Sequence, residues 1–275
     1  PIPNREDNPY VTAFWRWWPT LYKNLKHFRM TGGEPMMDKN TYKVFQYIID
    51  HPKADLHLNV TSNMCPPDKK LKTKYFNMAQ EICMQEKVEH MMQFVSVDAF
   101  GKRAEYIRNG LDFNYMMDNV EEFLERIPGR NSITFICTYN NLSITSMDKL
   151  LSKVLELRQR YSRTYQRVWF DVPLLRQPAW QQITLLPESY QIIHEDNIKY
   201  MQANSGEANG LHIFKDFEIQ KMQRNLAYWR ENADASTQNK KNFYAFFNEH
   251  DRRRLTNFLN TFPEMEEFYM ECKNA

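Results

Sequence analysis

The chain has 275 residues, of which 42% are apolar and 25% are charged, and its formal net charge is +2. This is the composition of a globular protein that is long enough to bury one large core or two small ones. No apolar stretch approaches the roughly 18 residues that a membrane span needs, and the first residues lack a signal-peptide pattern. We therefore expect a cytoplasmic protein without a membrane partner, and the near-neutral charge does not indicate nucleic acid.

The sequence carries no metal-binding pattern. The four cysteines, Cys65, Cys83, Cys137 and Cys272, are too far apart for the C-x-x-C or C-x-x-x-C spacing of a metal or cluster site. The seven histidines are scattered and show no paired spacing. We expect reduced, mostly buried thiols and no metal site formed by this chain.

Short apolar runs alternate with helical patterns over the first two thirds of the chain. We predict strands at residues 27–31, 56–61, 90–97, 132–138 and 168–172. Helices of ten to fifteen residues between strands are typical of parallel βα units, so the fold class is α/β. Right-handed crossovers then place the carboxyl end of every strand on the same rim of the sheet, where such folds hold their functional loops.

The pattern changes after Pro173. Polar helical stretches follow at about 188–202, 214–231 and 240–261, with a flexible break at 205–210. We interpret residues 1–180 as one βα domain and residues 181–275 as a mainly helical C-terminal extension.

One loop at the predicted rim stands out because two of the chain's seven glycines are adjacent in it. Gly32 and Gly33 follow the first predicted strand, and Glu34 and Pro35 come next. Paired glycines let a ligand approach the backbone closely, and the proline restricts Glu34 to an extended conformation. Such a loop presents carbonyl groups and one carboxylate to a ligand and suits an ammonium group, although an ordinary βα turn has the same elements.

The segment 31–35 resembles the GGEP motif that follows the second strand of radical S-adenosylmethionine (radical SAM) enzymes. The segments 61–63 and 96–98 end the next two strands, and 96–108 is similar to the family's S-x-D-G…I-R-G stretch, with Ala99 in place of the usual glycine. The segments 138–140 and 172–174 continue the series over a resemblance that covers about residues 10 to 180. The tail at 251–264 is similar to that of a phage-type branch whose members carry a twitch domain.

The resemblance implies a partial (β/α) TIM-like barrel of parallel strands that lacks its first βα unit, with residues 181–275 as a twitch-like region or tail. For a phage protein it implies the host cytoplasm. It also implies an enzyme that uses S-adenosylmethionine, a [4Fe–4S] cluster and an external electron donor to generate a 5′-deoxyadenosyl radical. This radical would take a hydrogen atom from a small-molecule or peptide substrate.

The resemblance also implies roles for single residues. The ammonium group of the cofactor would be held by Gly32, Gly33 and Glu34 with Pro35, beside the polar contacts Ser62 and Asn63. The ribose or methionine end would lie near Ser96 and Asp98, the cofactor carboxylate would pair with Arg108, and the adenine would be lined by Thr138, Asn140 and Val172.

Several of these residues have a structural alternative. Ser62 and Asn63 are also typical caps of a following helix, Asp98 is a common turn former, and Arg108 also suits a solvated helix face. The sequence leaves these alternatives open.

One part of the family pattern is missing from the sequence. The cluster of the family is bound by a C-x-x-x-C-x-x-C loop before the second strand, and no cysteine precedes position 27 here. We expect the cluster cysteines upstream of Pro1, in a segment that this chain lacks. The alternative is a non-catalytic βα scaffold, derived from such an enzyme, that binds a ligand or partner without a cluster.

Two further features have more than one interpretation. The aromatic run 14–18 is expected to cover the flank of the barrel, with a platform for bases or a membrane anchor as alternatives. The basic run 252–254 is either a phosphate site or a solvated helix face, and the similarity of the tail favours docking against the barrel.

Overall fold

The computed structural model describes residues 8–206 and 210–275. It contains a sheet of five strands: β1 (His27–Met30), β2 (Lys53–Ser62), β3 (Val88–Ser96), β4 (Ser132–Ile136) and β5 (Val168–Asp171). Every neighbouring pair is parallel, and the strands are arranged in the order of the sequence. The five predicted strands and their parallel pairing are therefore confirmed.

Helices connect the strands and continue beyond them. Their bounds are α1 (Pro9–Asn24), α2 (Lys39–Asp50), α3 (Lys69–Met84), α4 (Lys102–Ile107), α5 (Phe113–Arg126), α6 (Met147–Tyr161), α7 (Gln191–Ala203), α8 (Asp216–Glu231), α9 (Thr237–Arg254), α10 (Phe258–Thr261) and α11 (Glu266–Asn274). Asp38, Asp68 and Asp112 accept hydrogen bonds from the first turns of α2, α3 and α5, which explains where these helices begin. The apolar stripes of these helices and of α6 are buried, as their periodicity predicts.

The two faces of the sheet differ in composition. In β2 the buried side chains Leu56, Leu58 and Val60 alternate with half-buried polar ones. Because strands in sequential order with right-handed crossovers place their connecting helices on one side, this buried face lies under α2, α3, α5 and α6. The opposite face, which we call the open face, carries His57, Asn59, Thr61, His90, Met92, Phe94 and Ser96, all half-buried.

The outer edge of β5 is hydrogen-bonded by side chains from two helices. Arg158 on α6 donates from Nε to the carbonyl of Val168 (3.0 Å), and Glu218 on α8 accepts from the amide of Phe170 (3.0 Å). Arg158 and Glu218 also bond to each other at 2.6 Å and are fully buried. The outward carbonyl of Val168 and the outward amide of Phe170 are thus satisfied without another strand.

The C-terminal region is helical, as predicted, but its last part was predicted wrongly. The helix expected at 240–261 ends at Arg254 because Leu255 adopts a left-handed conformation with φ of 54°, and α10 and α11 follow. The predicted break at 205–210 lies partly outside the described residues, since 207–209 are not among them.

The tail docks on the βα region through an aspartate rather than through its arginines. Asp251 accepts a hydrogen bond from the hydroxyl of Tyr106 on α4 at 2.8 Å. Arg252 and Arg253 both bond to Glu249 and are largely exposed. The expected docking of the tail is therefore found, with the basic run on the solvated side.

Helix α1 covers the sheet beside β1. Trp18 is 1% exposed, and its ring centroid lies 4.8 Å from that of Phe28 in β1. Trp15 is half-buried and donates from Nε1 to Asn40 (2.9 Å), whereas Trp17 is exposed. The aromatic run therefore covers this flank with only part of its rings. No helix within the described residues combines the length and the apolar character that crossing a membrane requires.

Candidate functional site

The residues predicted from the sequence lie at the carboxyl ends of five adjacent strands. Glu34 follows β1, Ser62 ends β2, Ser96 ends β3, Thr138 follows β4 and Val172 follows β5. Because all five strands are parallel, these ends share one edge of the sheet. The structure thus brings the sequence-predicted residues to one rim, where they form two hydrogen-bonded groups.

The first group is centred on Glu34. Its carboxylate accepts from the hydroxyl of Ser62 (Oε1, 2.6 Å) and from the backbone amide of Asn63 (Oε2, 3.0 Å). A third hydrogen bond comes from the amide of Met36, at 3.1 Å from Oε1. Three donors from two adjacent loops therefore hold a half-buried carboxylate at the rim in one orientation.

The two glycines beside Glu34 form an exposed turn. Gly32 has a φ of 90° and Gly33 a φ of 56°, values that favour glycine, and no atom lies within 4 Å of the position that a Cβ would occupy at either residue. Pro35 is buried and begins a 3-10 turn that ends at Met37. The backbone before Glu34 is therefore open to a ligand while the backbone after it is packed.

Ser62 and Asn63 do not cap the following helix, whose cap is Asp68. Their side chains instead accept from the amides of Met64 (2.8 Å) and Cys65 (2.9 Å), which stabilises the loop after β2. This answers one alternative that the sequence left open, since the two residues support the loop and the Glu34 carboxylate together.

The second group is centred on Asp98, which is 6% exposed. Oδ1 accepts from the amide of Thr138 at 2.9 Å, and Oδ2 lies 2.8 Å from Nε of Arg108. The N–H of Nε is not aligned with this oxygen, so the contact is an ion pair rather than a directed hydrogen bond. Asp98 thus links the loops after β3 and β4 and positions Arg108, whose side chain is 32% exposed.

Of three other predicted residues, Asn140 and Val172 take part in local hydrogen bonds, whereas no hydrogen bond among the described residues defines a role for Ser96. The side chain of Asn140 donates from Nδ2 to the carbonyl of Thr138 (2.9 Å), and its Oδ1 accepts from the backbone amide of Leu142 (2.9 Å), so it shapes its own turn. Val172 is buried, and its carbonyl accepts from Asn225 on α8 at 3.1 Å. Ser96 lies half-buried at the end of β3. The adenine-side roles of Thr138, Asn140 and Val172 stay predictions.

The cysteines are free thiols, as expected, and three of the four are buried. Burial raises the pKa of Cys83 and of Cys272 to about 12, and it raises the pKa of Cys65 and Cys137 as well. Among residues 8–206 and 210–275, no three histidine, cysteine, aspartate or glutamate side chains come together in a way that could hold a metal ion. The described thiols are therefore protonated at neutral pH and separated from one another.

The polar residues of the open face below the rim were not predicted from the sequence. Arg29 donates from its guanidinium to Thr61 (3.0 and 3.2 Å) and lies 4.1 Å from the ring centroid of Phe94. The sequence of β2 indicated such an open face, because polar residues alternate with apolar ones in this strand. A parallel strand that is covered on both faces reads instead as a continuous apolar run.

Three histidines meet at the other end of the sheet from the rim. The rings of His27 and His57 stack with centroids 4.5 Å apart, and His90 lies 6.1 Å from His57. They are about thirty residues apart in the sequence, so only the strand register brings them together. Stacked imidazole planes point their nitrogens in parallel rather than at a common centre, which does not suit a metal ion.

Comparison with protein-family models, with curated proteins and with solved structures found no match to this chain.

Proposed function

We propose that this chain is the larger part of a radical SAM enzyme and binds S-adenosylmethionine at the rim of the sheet. The observation that carries the proposal is the Glu34 carboxylate, fixed at the rim by Ser62 and the amide of Asn63. The five parallel strands in sequential order would form an arc of a (β/α) barrel, with the open face as its interior.

The first group at the rim suits the ammonium end of an amino acid. Glu34 supplies a negative charge whose orientation is set before a ligand binds, so little entropy is lost on binding. The exposed turn at Gly32 and Gly33 allows backbone carbonyls to approach the same ammonium. A cation that donates three hydrogen bonds would be satisfied by this combination.

The second group suits the negatively charged end or the ribose of the same ligand. Arg108 contacts Asp98 through Nε, and no described residue accepts from its terminal amino groups. Two parallel N–H groups of a guanidinium match a carboxylate. Asp98, whose carboxylate already accepts from Thr138 and contacts Arg108, would act mainly by positioning Arg108.

The described residues do not fit a [4Fe–4S] cluster. Cluster ligation needs thiolates that converge, and the cysteines of this chain are separate and have raised pKa values. Within the proposal the ligands have to come from sequence outside the described residues. When bound, the cluster and cofactor together would supply the radical, and the residues at the rim would bind and orient the cofactor.

The second candidate function is a βα scaffold that binds a ligand or partner without a cluster. It is favoured by the lack of a converging set of metal ligands in the part of the chain that the structure describes. Both candidate functions place the ligand at the same rim, so they differ in whether a reaction follows binding.

Calorimetric titration with S-adenosylmethionine tests the binding site. Replacing Glu34 by glutamine removes the charge but keeps the shape, and loss of a charge-assisted hydrogen bond should weaken binding about tenfold or more. Glu231→Gln, at an exposed position on α8, is the matched control and should bind as the unmodified protein does. Equal affinity of the Glu34→Gln and Glu231→Gln proteins would contradict the assigned role.

A second experiment separates the two candidates. The 275-residue chain should purify colourless, and the protein that includes natural sequence upstream of Pro1 should turn brown after anaerobic reconstitution. On reduction, the longer protein should release 5′-deoxyadenosine from S-adenosylmethionine. Binding without this release would favour the scaffold, and stoichiometric iron in the shorter chain would refute the inferred position of the cluster ligands.

A further inference from the structure

A basic groove lies on the outer surface of the molecule, between α2 and α3. It has a volume of about 1010 Å³. The charged side chains that line it are Lys39, Lys43, Lys69, Lys70, Lys74 and Glu81. Five positive charges and one negative charge therefore surround one concave surface in a chain whose formal net charge is only +2.

Most of these lysines are not neutralised by the protein. Lys43, Lys69, Lys70 and Lys74 are exposed, and none of them has a carboxylate within ion-pair distance among residues 8–206 and 210–275. By contrast, Lys72, on the same helix, pairs with Glu122 at 2.7 Å. Lys43 and Lys74 lie over the rings of Trp15 (4.0 Å) and Tyr42 (4.7 Å), and these contacts leave their charges unneutralised. The positive charges of the groove therefore repel one another, which a bound anion would relieve.

The amino-terminal ends of the two helices do not add to this charge. Helices α2 and α3 are capped by Asp38 and Asp68, whose side chains accept hydrogen bonds from the first turns. These carboxylates offset the partial positive charge of the helix ends. The positive potential of the groove therefore comes from its lysine side chains.

The groove suits a polymer of phosphates better than one small anion. Its lysines lie on two facing helices, and Lys39 and Lys43 are one turn apart, a rise of about 6 Å. Lysine is a flexible point charge that contacts phosphates without the fixed fork of arginine. Gln46 and Asn77 add side-chain amide groups between the charges.

We propose that this groove binds the phosphate backbone of a single strand of nucleic acid. On α3 the lining residues run from Lys69 to Glu81, a rise of about 18 Å, so the groove can follow the backbone of one flexible strand over a few nucleotides. An anionic membrane is a poorer match, because it is flat and the lysines line facing walls of a concave surface. The inference is independent of the proposed cofactor site, since none of the groove residues belongs to the rim groups.

Fluorescence anisotropy with a labelled oligothymidine, over a series of salt concentrations, tests the proposal. The variant Lys43→Gln, Lys70→Gln, Lys74→Gln removes three groove charges. The control variant Lys23→Gln, Lys241→Gln, Lys273→Gln removes three exposed lysines on other helices. Each variant changes the formal net charge from +2 to −1, so net charge alone cannot distinguish them.

The groove variant should lose about a hundredfold in affinity at about 0.1 M salt, and the slope of log K against log salt should fall by about 2. The control variant should keep both values near those of the unmodified chain, and lysine-to-arginine changes at the three groove positions should preserve binding. Circular dichroism of each variant checks that the fold is retained.

Four outcomes would overturn the proposal. These are absence of binding by the unmodified chain, equal loss in the groove and control variants, tighter binding of a duplex than of the single strand, and groove-dependent binding to phosphatidylserine vesicles without binding to the oligonucleotide.

Discussion

The β5 edge of the sheet is closed by buried side chains from α6 and α8, whereas the β1 edge, on the other side of the sheet, presents its outer backbone groups. At β5, Arg158 and Glu218 bond to the backbone and to each other. At β1, no side chain of the described residues bonds to the strand's outer backbone, and His27 and Arg29 are exposed. Edge strands invite pairing with another chain unless they are covered, so the two edges should differ in stability and in association.

The largest expected effect is at the β5 edge. Glu218→Ala leaves the fully buried Arg158 without its partner and removes the acceptor of the Phe170 amide. Breaking one side of a buried ion pair should lower the free energy of unfolding by about 3–5 kcal/mol. The shift in the midpoint of denaturant unfolding measures this loss.

Two controls sharpen this result. The double replacement Arg158→Met, Glu218→Leu removes both charges and should cost less than Glu218→Ala alone. Glu249→Ala, which removes an exposed partner of Arg252 and Arg253, should barely change the midpoint. If Glu218→Ala were no more destabilising than Glu249→Ala, the buried pair would not be what closes the β5 edge.

A smaller effect is expected from pH, through His194 in the helical cover of the β5 side. Its Nδ1 lies 2.6 Å from the hydroxyl of Tyr139 and its Nε2 2.9 Å from the carbonyl of Met222. Because a carbonyl only accepts, Nε2 carries the hydrogen and the Tyr139 hydroxyl donates to Nδ1. Burial lowers the pKa of His194, the hydrogen bond to the carbonyl of Met222 and the nearby Glu195 oppose this, and Arg230 adds to the lowering.

The unfolded chain therefore binds a proton at higher pH than the folded one. The contribution of His194 to stability is present above its ordinary pKa of about 6.5 and is lost as the pH falls below that value, by at most about 1.4 kcal/mol per pH unit. Unfolding free energies measured from pH 7 downwards, at about half-unit steps, should fall less steeply in His194→Gln than in the unmodified protein. Equal slopes would show that this histidine is not responsible.

The smallest effect on stability, but a clear effect on association, is expected at the β1 edge. The amide of His57 donates to the carbonyl of Lys26 at 2.8 Å. Since alternate residues of a parallel strand bond to the same neighbour, the backbone groups of His27 and Arg29 point away from β2. Arg29→Pro removes one outward donor without removing a bond of the sheet.

We expect the unmodified chain to self-associate through this edge as its concentration rises. Sedimentation or light scattering should show a lower mean mass for Arg29→Pro than for Arg29→Ala, which loses the same side chain but keeps the donor. Identical masses for the two variants would place the association elsewhere on the molecule.

Part of the candidate site could be predicted from the sequence, and part of it could not. The glycine pair and Pro35 predict a special turn, and parallel βα units predict that Glu34, Ser62 and Asp98 share a rim, as the structure has them. The sequence does not show that Ser62 and Asn63 hold Glu34, or that Asp98 joins Thr138 to Arg108. The contacts of Glu34 and the contact of Asp98 with Thr138 span about thirty to forty residues, whereas Asp98 and Arg108 are ten residues apart. All of them depend on loop geometry, for which no local pattern exists.

Local patterns determined the strands, the helical stripes and the position of the rim, because periodicity and turn chemistry act over neighbouring residues. Local patterns did not predict that α9 ends just before Leu255. This residue is not a glycine, yet it takes a left-handed conformation there. Tertiary structure alone decided the closure of β5 by residues sixty apart, the histidine row, and the joining of the lysine run at 69–74 with the lysines of α2 in one groove. Each of these features depends on strand register and on which helix faces pack together. The net charge of +2 does not reveal the cluster of lysines between α2 and α3, because it sums the charges of the whole chain.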